Sequence, residues 1–370
     1  MKILRYGSKE LDKIYNRSLC RKPKVIAKVT KILEDVRAFG DEALIRYTKK
    51  YDKVKLLPKQ IRVTQAEISG AYQNISPDFV SSLKVIIENV TRFYKRQVKK
   101  SWKIKAEDGV VLGEQFTPIG SVGVYIPAGQ APLVSTVYMT VLPAKIAGVK
   151  RIVLVSPPDK CGNINPHILV VADLLKVDEI YKAGGAQAIA ALALGTKTLP
   201  PVNKIVGPGN VYVTEAKRQV YGYVDIDMLA GPTELVIIAN RYSPAPFLKA
   251  DLLAQGEHSG GLAILITTSR AQAKQFKHEL TNGYTILVKN LDEAVEVVNR
   301  IAPEHLEILI KNPSKILNKI KNAGAIFLGP YSPTAVGDYV AGPSHVLPTS
   351  GTAKFFSGLS LADFIKSTHS

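Results

Sequence analysis

The sequence predicts an α/β fold made of parallel sheets with helices on both faces. Short β-branched runs alternate with helical patterns along much of the chain, and that alternation is the mark of parallel sheets. Glycine-rich turns fall at the junctions between them, where such sheets change direction. A chain of 370 residues is also long for a single core, so two domains are expected.

In chain order, residues 1–20 read as an N-terminal extension. Its start, Met1-Lys2-Ile3-Leu4-Arg5-Tyr6, has no signal-peptide apolar region. The densest basic stretch runs from Arg92 to Lys103 and contains Phe93, Tyr94 and Trp102. It reads as a helix end whose cations complement the dipole, with the aromatics packed inward. Basic residues interleaved with aromatics are also what a single-stranded nucleic-acid surface uses. Strands are predicted at 122–126, 152–155, 179–182, 204–206, 235–239, 263–268, 285–288 and 325–328. Helices are predicted at 134–146, 166–175, 186–193, 211–220, 247–254, 270–280 and 292–301. The central part, 118–232, holds one compact set of βα units, so the flanking segments must build the other sheet.

Four turns are rich in glycine: 119–123, 127–132, 182–187 and 206–210. Backbone amides at such helix starts can receive a pyrophosphate. None is a G-x-G-x-x-G, so the usual dinucleotide fingerprint is absent. Each glycine is equally explained by a tight turn.

Apolar content of 46% and mean hydropathy near zero fit a soluble globular protein. No apolar run approaches the length of about 18 residues that a membrane span needs. Cys20 and Cys161 form no CxxC motif; they suggest no disulfide framework, a reducing cytoplasm, and buried or inert thiols. Net charge is +18, most of it carried by residues 1–110. Such a surface can attract anionic ligands, and it bears on association rather than fold.

Three segments carry chemistry. In Leu253-Ala254-Gln255-Gly256-Glu257-His258, Gln255 and His258 are spaced i, i+3 and share a helix face. An amide oxygen and an imidazole there can hold one metal ion, or simply cap a helix end. In Ala302-Pro303-Glu304-His305-Leu306-Glu307, a carboxylate and a near-neutral imidazole supply acid–base groups. Pro303 biases Ala302 away from helix, so the pair opens a new turn from which both side chains reach one cleft; the alternative is a helix start beside a surface His. The third segment runs from Gly337 through Asp338 and His345 to Thr349.

With Ala230-Gly231-Pro232-Thr233-Glu234, these segments in this order resemble the histidinol dehydrogenase family, which catalyses the last steps of histidine biosynthesis. The resemblance runs from about Arg21 to about Phe364. It implies two similar Rossmann-like domains, one inserted in the other: 118–232 binding NAD, within a domain of 21–117 and 233–355 that carries the metal and catalytic residues, with a short piece at 356–370. It implies oxidation of L-histidinol through the aldehyde to L-histidine with two NAD+, a zinc ion, and a homodimer; no membrane or nucleic-acid partner is expected.

By the same resemblance, Gln255, His258 and Asp338 are metal ligands. His305 is the base for alcohol oxidation, and Glu304 activates water for aldehyde oxidation. Thr233 and His345 contact substrate together with Gln255, His258, His305 and Asp338; family members commonly carry Ser where Thr233 stands. Tyr125, Gln187 and Asn210 contact NAD. The family pattern continues into a C-terminal tail with a fourth ligand, a His close after a substrate-binding Glu. His369 has no such Glu before it. Zinc binding through three ligands is therefore expected to be weak and substrate-dependent. Two other readings stay open: a truncated or degenerate homologue with little turnover, and a basic nucleic-acid-binding protein.

Overall fold

The computed structural model describes residues 1–17, 22–128, 132–258, 260–278 and 283–370. Cys20, Gly129, Gln130, Ala131 and the end of the predicted helix 270–280 lie outside the described residues.

Two compact units form. One comprises Met1–Cys20, Ala230–Asp338 and Leu347–Gly358; the other comprises Arg21–Leu229, Tyr339–Val346 and Leu359–Ser370. The division expected near 117 is thus not where the units part: 21–117 belongs with 118–229. The reason is helix packing. Pro23–Phe39 and Asp41–Tyr51 place Val29, Ile32, Val36 and Leu44 in one core with Ile189, Leu192 and Val213. Pro77–Lys95 buries Leu83, Val90 and Tyr94 in another core with Met139 and Leu142. These helical stripes leave no strand in 23–95.

In this larger unit a five-stranded parallel sheet runs in the order Glu179–Lys182, Arg151–Ser156, Ser121–Tyr125, Lys204–Val206, Asp225–Ile226. Numbered within the sheet, that is 3-2-1-4-5, the Rossmann order. The smaller unit repeats it. Gly283–Leu287, Leu262–Thr267, Glu234–Ala239, His305–Leu309 and Ala325–Leu328 lie in the same order, with Lys2–Arg5 added at the edge, all parallel. Two of its interior strands, Glu234–Ala239 and Leu262–Thr267, are nearly all Val, Ile, Leu and Ala and are buried on both faces, as parallel strands must be.

Most predicted elements appear within two residues of their expected ends. The helix predicted at 270–280 is shorter: Arg270–Gln275 passes into a 3₁₀ turn, Phe276–His278. Several strands were not predicted. Trp102–Lys105, Val111–Pro118 and Ile365–His369 make a small antiparallel sheet. Its exposed pattern, with Lys103 and Lys105 alternating with Trp102 and Ile104, gives no continuous apolar run to detect.

The basic stretch does end a helix, with Arg92 and Lys95 in its last turn. Of its aromatics only Tyr94 is buried; its hydroxyl donates to the Leu359 carbonyl at 2.9 Å. Cys161 is exposed rather than buried. Among the described residues no helix is long and apolar enough to cross a membrane.

Candidate active site

His305 begins a central strand, not a turn or helix. Ala302, at φ +49°, closes the preceding helix Leu291–Ile301 in the left-handed region. The chain then enters the sheet because Leu306 and Ile308 fill its core. Successive strand side chains point to opposite faces, yet Glu304 and His305 converge on one backbone unit. The Glu234 N–H donates to Glu304 Oε2 at 2.8 Å, and His305 Nδ1 donates to the Glu234 carbonyl at 3.1 Å. The carboxylate and the ring are 3.6 Å apart.

Burial pushes the Glu304 carboxyl up to about 7, against the pull of His305 and of hydrogen bonds from Thr233 and Glu234. For His305, burial alone would lower the pKa. The Glu304 charge and the hydrogen bond to Asp338 outweigh it and raise it to about 9. His305 Nε2 donates to Asp338 Oδ1 at 3.1 Å. Both ring nitrogens therefore face acceptors, and the ring is an imidazolium in this state.

Asp338 sits in a π-helical turn, Gly337–Ala341, a distortion that often marks functional sites. Gly337 permits it: a Cβ there would lie 2.3 Å from the Phe327 ring. Thr233 hydrogen-bonds Glu304. Gln255 is buried in the last turn of Ala245–Gly256, and its Nε2 donates to the Thr233 carbonyl at 2.9 Å. His258 follows that helix and is exposed. The structure thus joins Thr233, Glu304, His305 and Asp338 by hydrogen bonds and ties Gln255 to Thr233. Thr233, Glu304 and His305 lie at the amino ends of their strands, opposite the end where open α/β sheets usually bind ligands.

Among the described residues no group of three His, Cys, Asp or Glu side chains is arranged to hold a metal. The predicted set includes an amide, and its chemistry suits zinc. With Gln255 Nε2 committed to Thr233, Oε1 is the end left to coordinate. An imidazole and a carboxylate complete a set with open positions for substrate nitrogens.

Two supports were not legible in the sequence. Glu234 forms a two-point ion pair with Arg17, at 2.6 Å and 2.5 Å, and also accepts from the Ser350 N–H. Glu307, two residues beyond His305, is buried; burial and the nearby Asp251 push its carboxyl up to about 8.

The larger unit holds a cavity of about 710 Å³ at the carboxyl ends of its first and fourth strands, where the strand order reverses. Tyr125, Gln187 and Asn210 all line it. The Tyr125 hydroxyl accepts from the Gly185 N–H at 3.1 Å. Gln187 is 1% exposed, and neither amide atom has a partner among the described residues. An unpaired buried amide costs roughly 1–3 kcal/mol, so these two atoms point to a ligand with polar groups. Asn210 caps the helix Val211–Val220, its Oδ1 accepting from Tyr212 and Val213 N–H groups; Nδ2 is left for a ligand. The volume suits a small-molecule site, and Gly185, Ala186 and Gln187 present a helix N-terminus to it. His345 belongs to this unit, with Nε2 3.2 Å from Thr136 Oγ1.

The family model described as "Histidinol dehydrogenase" matches residues 15–370. The chain belongs to the histidinol dehydrogenase family. The histidinol dehydrogenase of Caldanaerobacter subterraneus subsp. tengcongensis is 47% identical over 383 residues, covering 97% of this chain and 89% of that one. That of Clostridium acetobutylicum is 46% identical over 389 residues, covering 99% and 90%. A crystal structure of histidinol dehydrogenase from Elizabethkingia anophelis superposes with a TM-score of 0.93 at 37% identity, covering 100% of this chain and 90% of that one. In this histidinol dehydrogenase the sequence motifs bring Glu304, His305 and Asp338 to one place. Arg17, Asp251 and Glu307 escaped notice because their partners are distant in sequence.

Proposed function

We propose that this chain oxidises L-histidinol through the aldehyde to L-histidine, reducing two NAD+, and that it needs a zinc ion to do so. The observation that carries the reading is the cluster Thr233–Glu304–His305–Asp338, with Glu304 and His305 buried. It pairs two groups of different proton affinity, as two successive oxidations require.

Gln255, His258 and Asp338 would hold the zinc. When bound, zinc would supply Lewis acidity and fix the imidazole and amine of histidinol; NAD+ would take a hydride in each oxidation. If Asp338 turned to the zinc, His305 would lose the carboxylate that favours its charged form, and the neutral ring that results accepts the hydroxyl proton. Glu304 takes a proton from the water that adds to the aldehyde carbon; the second hydride then leaves that carbon as the acid forms. Desolvation suits Glu304 to this, since a carboxylate with pKa near 7 is a stronger base than one in water. Thr233 orients that carboxylate. Tyr125, Gln187 and Asn210 would bind NAD+, and His345 would contact substrate. A cytoplasmic homodimer belongs to the same reading.

The test is NADH formation from L-histidinol, with and without added zinc. Two NADH per histidinol, dependent on zinc, is the expected result. Binding of histidinol and NAD+ without turnover would favour a degenerate homologue. A steep salt slope in RNA titration, with no turnover, would favour a nucleic-acid binder.

A further inference from the structure

Asp52 lines the same cavity as Tyr125, Gln187 and Asn210, and no motif pointed to it. Its placement is costly in three ways. It caps the C-terminal end of the helix Asp41–Tyr51, where the dipole disfavours an anion. Its Oδ2 is buried with no hydrogen-bond partner among the described residues. No cation compensates it: burial is the sole cause that raises its carboxyl, to about 6. Lys28, the other charged residue of the cavity lining, stands over the rings of Tyr51 and Tyr212 at 4.8 Å and 4.6 Å. Lys53 is turned to the Lys50 carbonyl. At neutral pH Asp52 is thus largely ionised, with Oδ2 lacking a partner among the described residues, and it lines the cavity that Gln187 also lines.

We propose that Asp52 receives the 2′- and 3′-hydroxyls of the adenosine ribose and sets the preference for NAD+ over NADP+; this rests on the reading of the cavity as the NAD site. Two vicinal hydroxyls are donors matched to a carboxylate with empty acceptor sites. The ring faces of Tyr51 and Tyr212, with Ile32 beside them, form an apolar and aromatic wall for a purine. The helix start at Gly185–Gln187 receives the pyrophosphate. A 2′-phosphate would bring its charge against a buried anion and remove one hydroxyl donor, both of which oppose binding.

The test is calorimetric titration of NAD+ and NADP+ into the full chain, its Asp52→Asn and Asp52→Ala variants, and Gln187→Ala, with melting curves to verify folding. The wild-type chain should prefer NAD+. Both Asp52 variants should bind NAD+ at least about tenfold more weakly, the loss expected for a hydrogen bond to a charged group, while NADP+ binds no worse. If Gln187→Ala weakens NAD+ but Asp52→Ala leaves it unchanged, or weakens both cofactors equally, the assignment of Asp52 is overturned and the cavity reading stands. If wild type fails to bind NAD+, or none of these variants alters binding, the cavity reading fails and takes this inference with it.

Discussion

Glu304 and His305 are adjacent in sequence, yet they hold protons to different pH values because one is stripped of water and the other is flanked by carboxylates. In the proposed mechanism that difference separates the two half-reactions. Glu304→Gln should slow aldehyde oxidation by about a hundredfold or more, the scale of general-base loss, while largely sparing alcohol oxidation. His305→Ala should damage both. Stopped-flow rates with histidinol and with histidinaldehyde decide it; equal losses in Glu304→Gln would remove the assignment. The aldehyde step should also rise with pH through about 7, as Glu304 loses its proton. At this scale the sequence was legible where chemistry clusters in short motifs. It was not legible for Arg17 or Asp52, whose roles depend on contacts and burial that no local pattern encodes.

Elements hold these residues through backbone positions that tolerate little change. Adding a Cβ at Gly337 would drive it to 2.3 Å from Phe327 and move the turn that carries Asp338. Gly337→Ala should therefore lower kcat by about a hundredfold, as a displacement near 1 Å can. Phe327→Leu in the same chain should restore part of it; a Gly337→Ala enzyme with normal kcat would show that the turn adapts. In the other unit, the loop leading to Asn210 is held by Lys217, which is paired with buried Asp227 and donates to the Gly207 carbonyl at 3.0 Å. Asp227 also accepts the Gly207 N–H at 2.7 Å. Lys217→Met strands a buried carboxylate and should cost roughly 3–5 kcal/mol in urea unfolding, with Lys217→Met/Asp227→Leu recovering most of it. Strands with continuous Val and Ile were readable. The strand His305–Leu309 was not, because its alternating charged residues serve the site as well as the sheet.

Four buried ionisable groups shift in the same direction. Asp52, Glu304 and Glu307 are raised to about 6, 7 and 8, and His305 to about 9. For each, the folded state binds more protons than the unfolded state between the two pKa values. Stability therefore falls as pH rises across that window. The carboxyls are destabilised on ionising, and the stabilisation of charged His305, complete below about 6.5, is lost through about 9. Without metal or ligand, the urea midpoint should decline from pH 5 to pH 9; a rising midpoint would contradict these environments. Saturating NAD+ or zinc should raise the midpoint by mass action.

Sequence alone determined the alternating α/β class and most strands and helices. Periodic burial and short catalytic motifs are local properties, written within a few residues. Only the tertiary structure decided that 21–117 packs with 118–229, that both sheets share one strand order, and that catalytic groups sit at strand amino ends. It alone exposed the unpaired Asp52 and Gln187. Those outcomes depend on which distant apolar faces meet and which polar atoms lose water when they do, and neither can be counted along the chain.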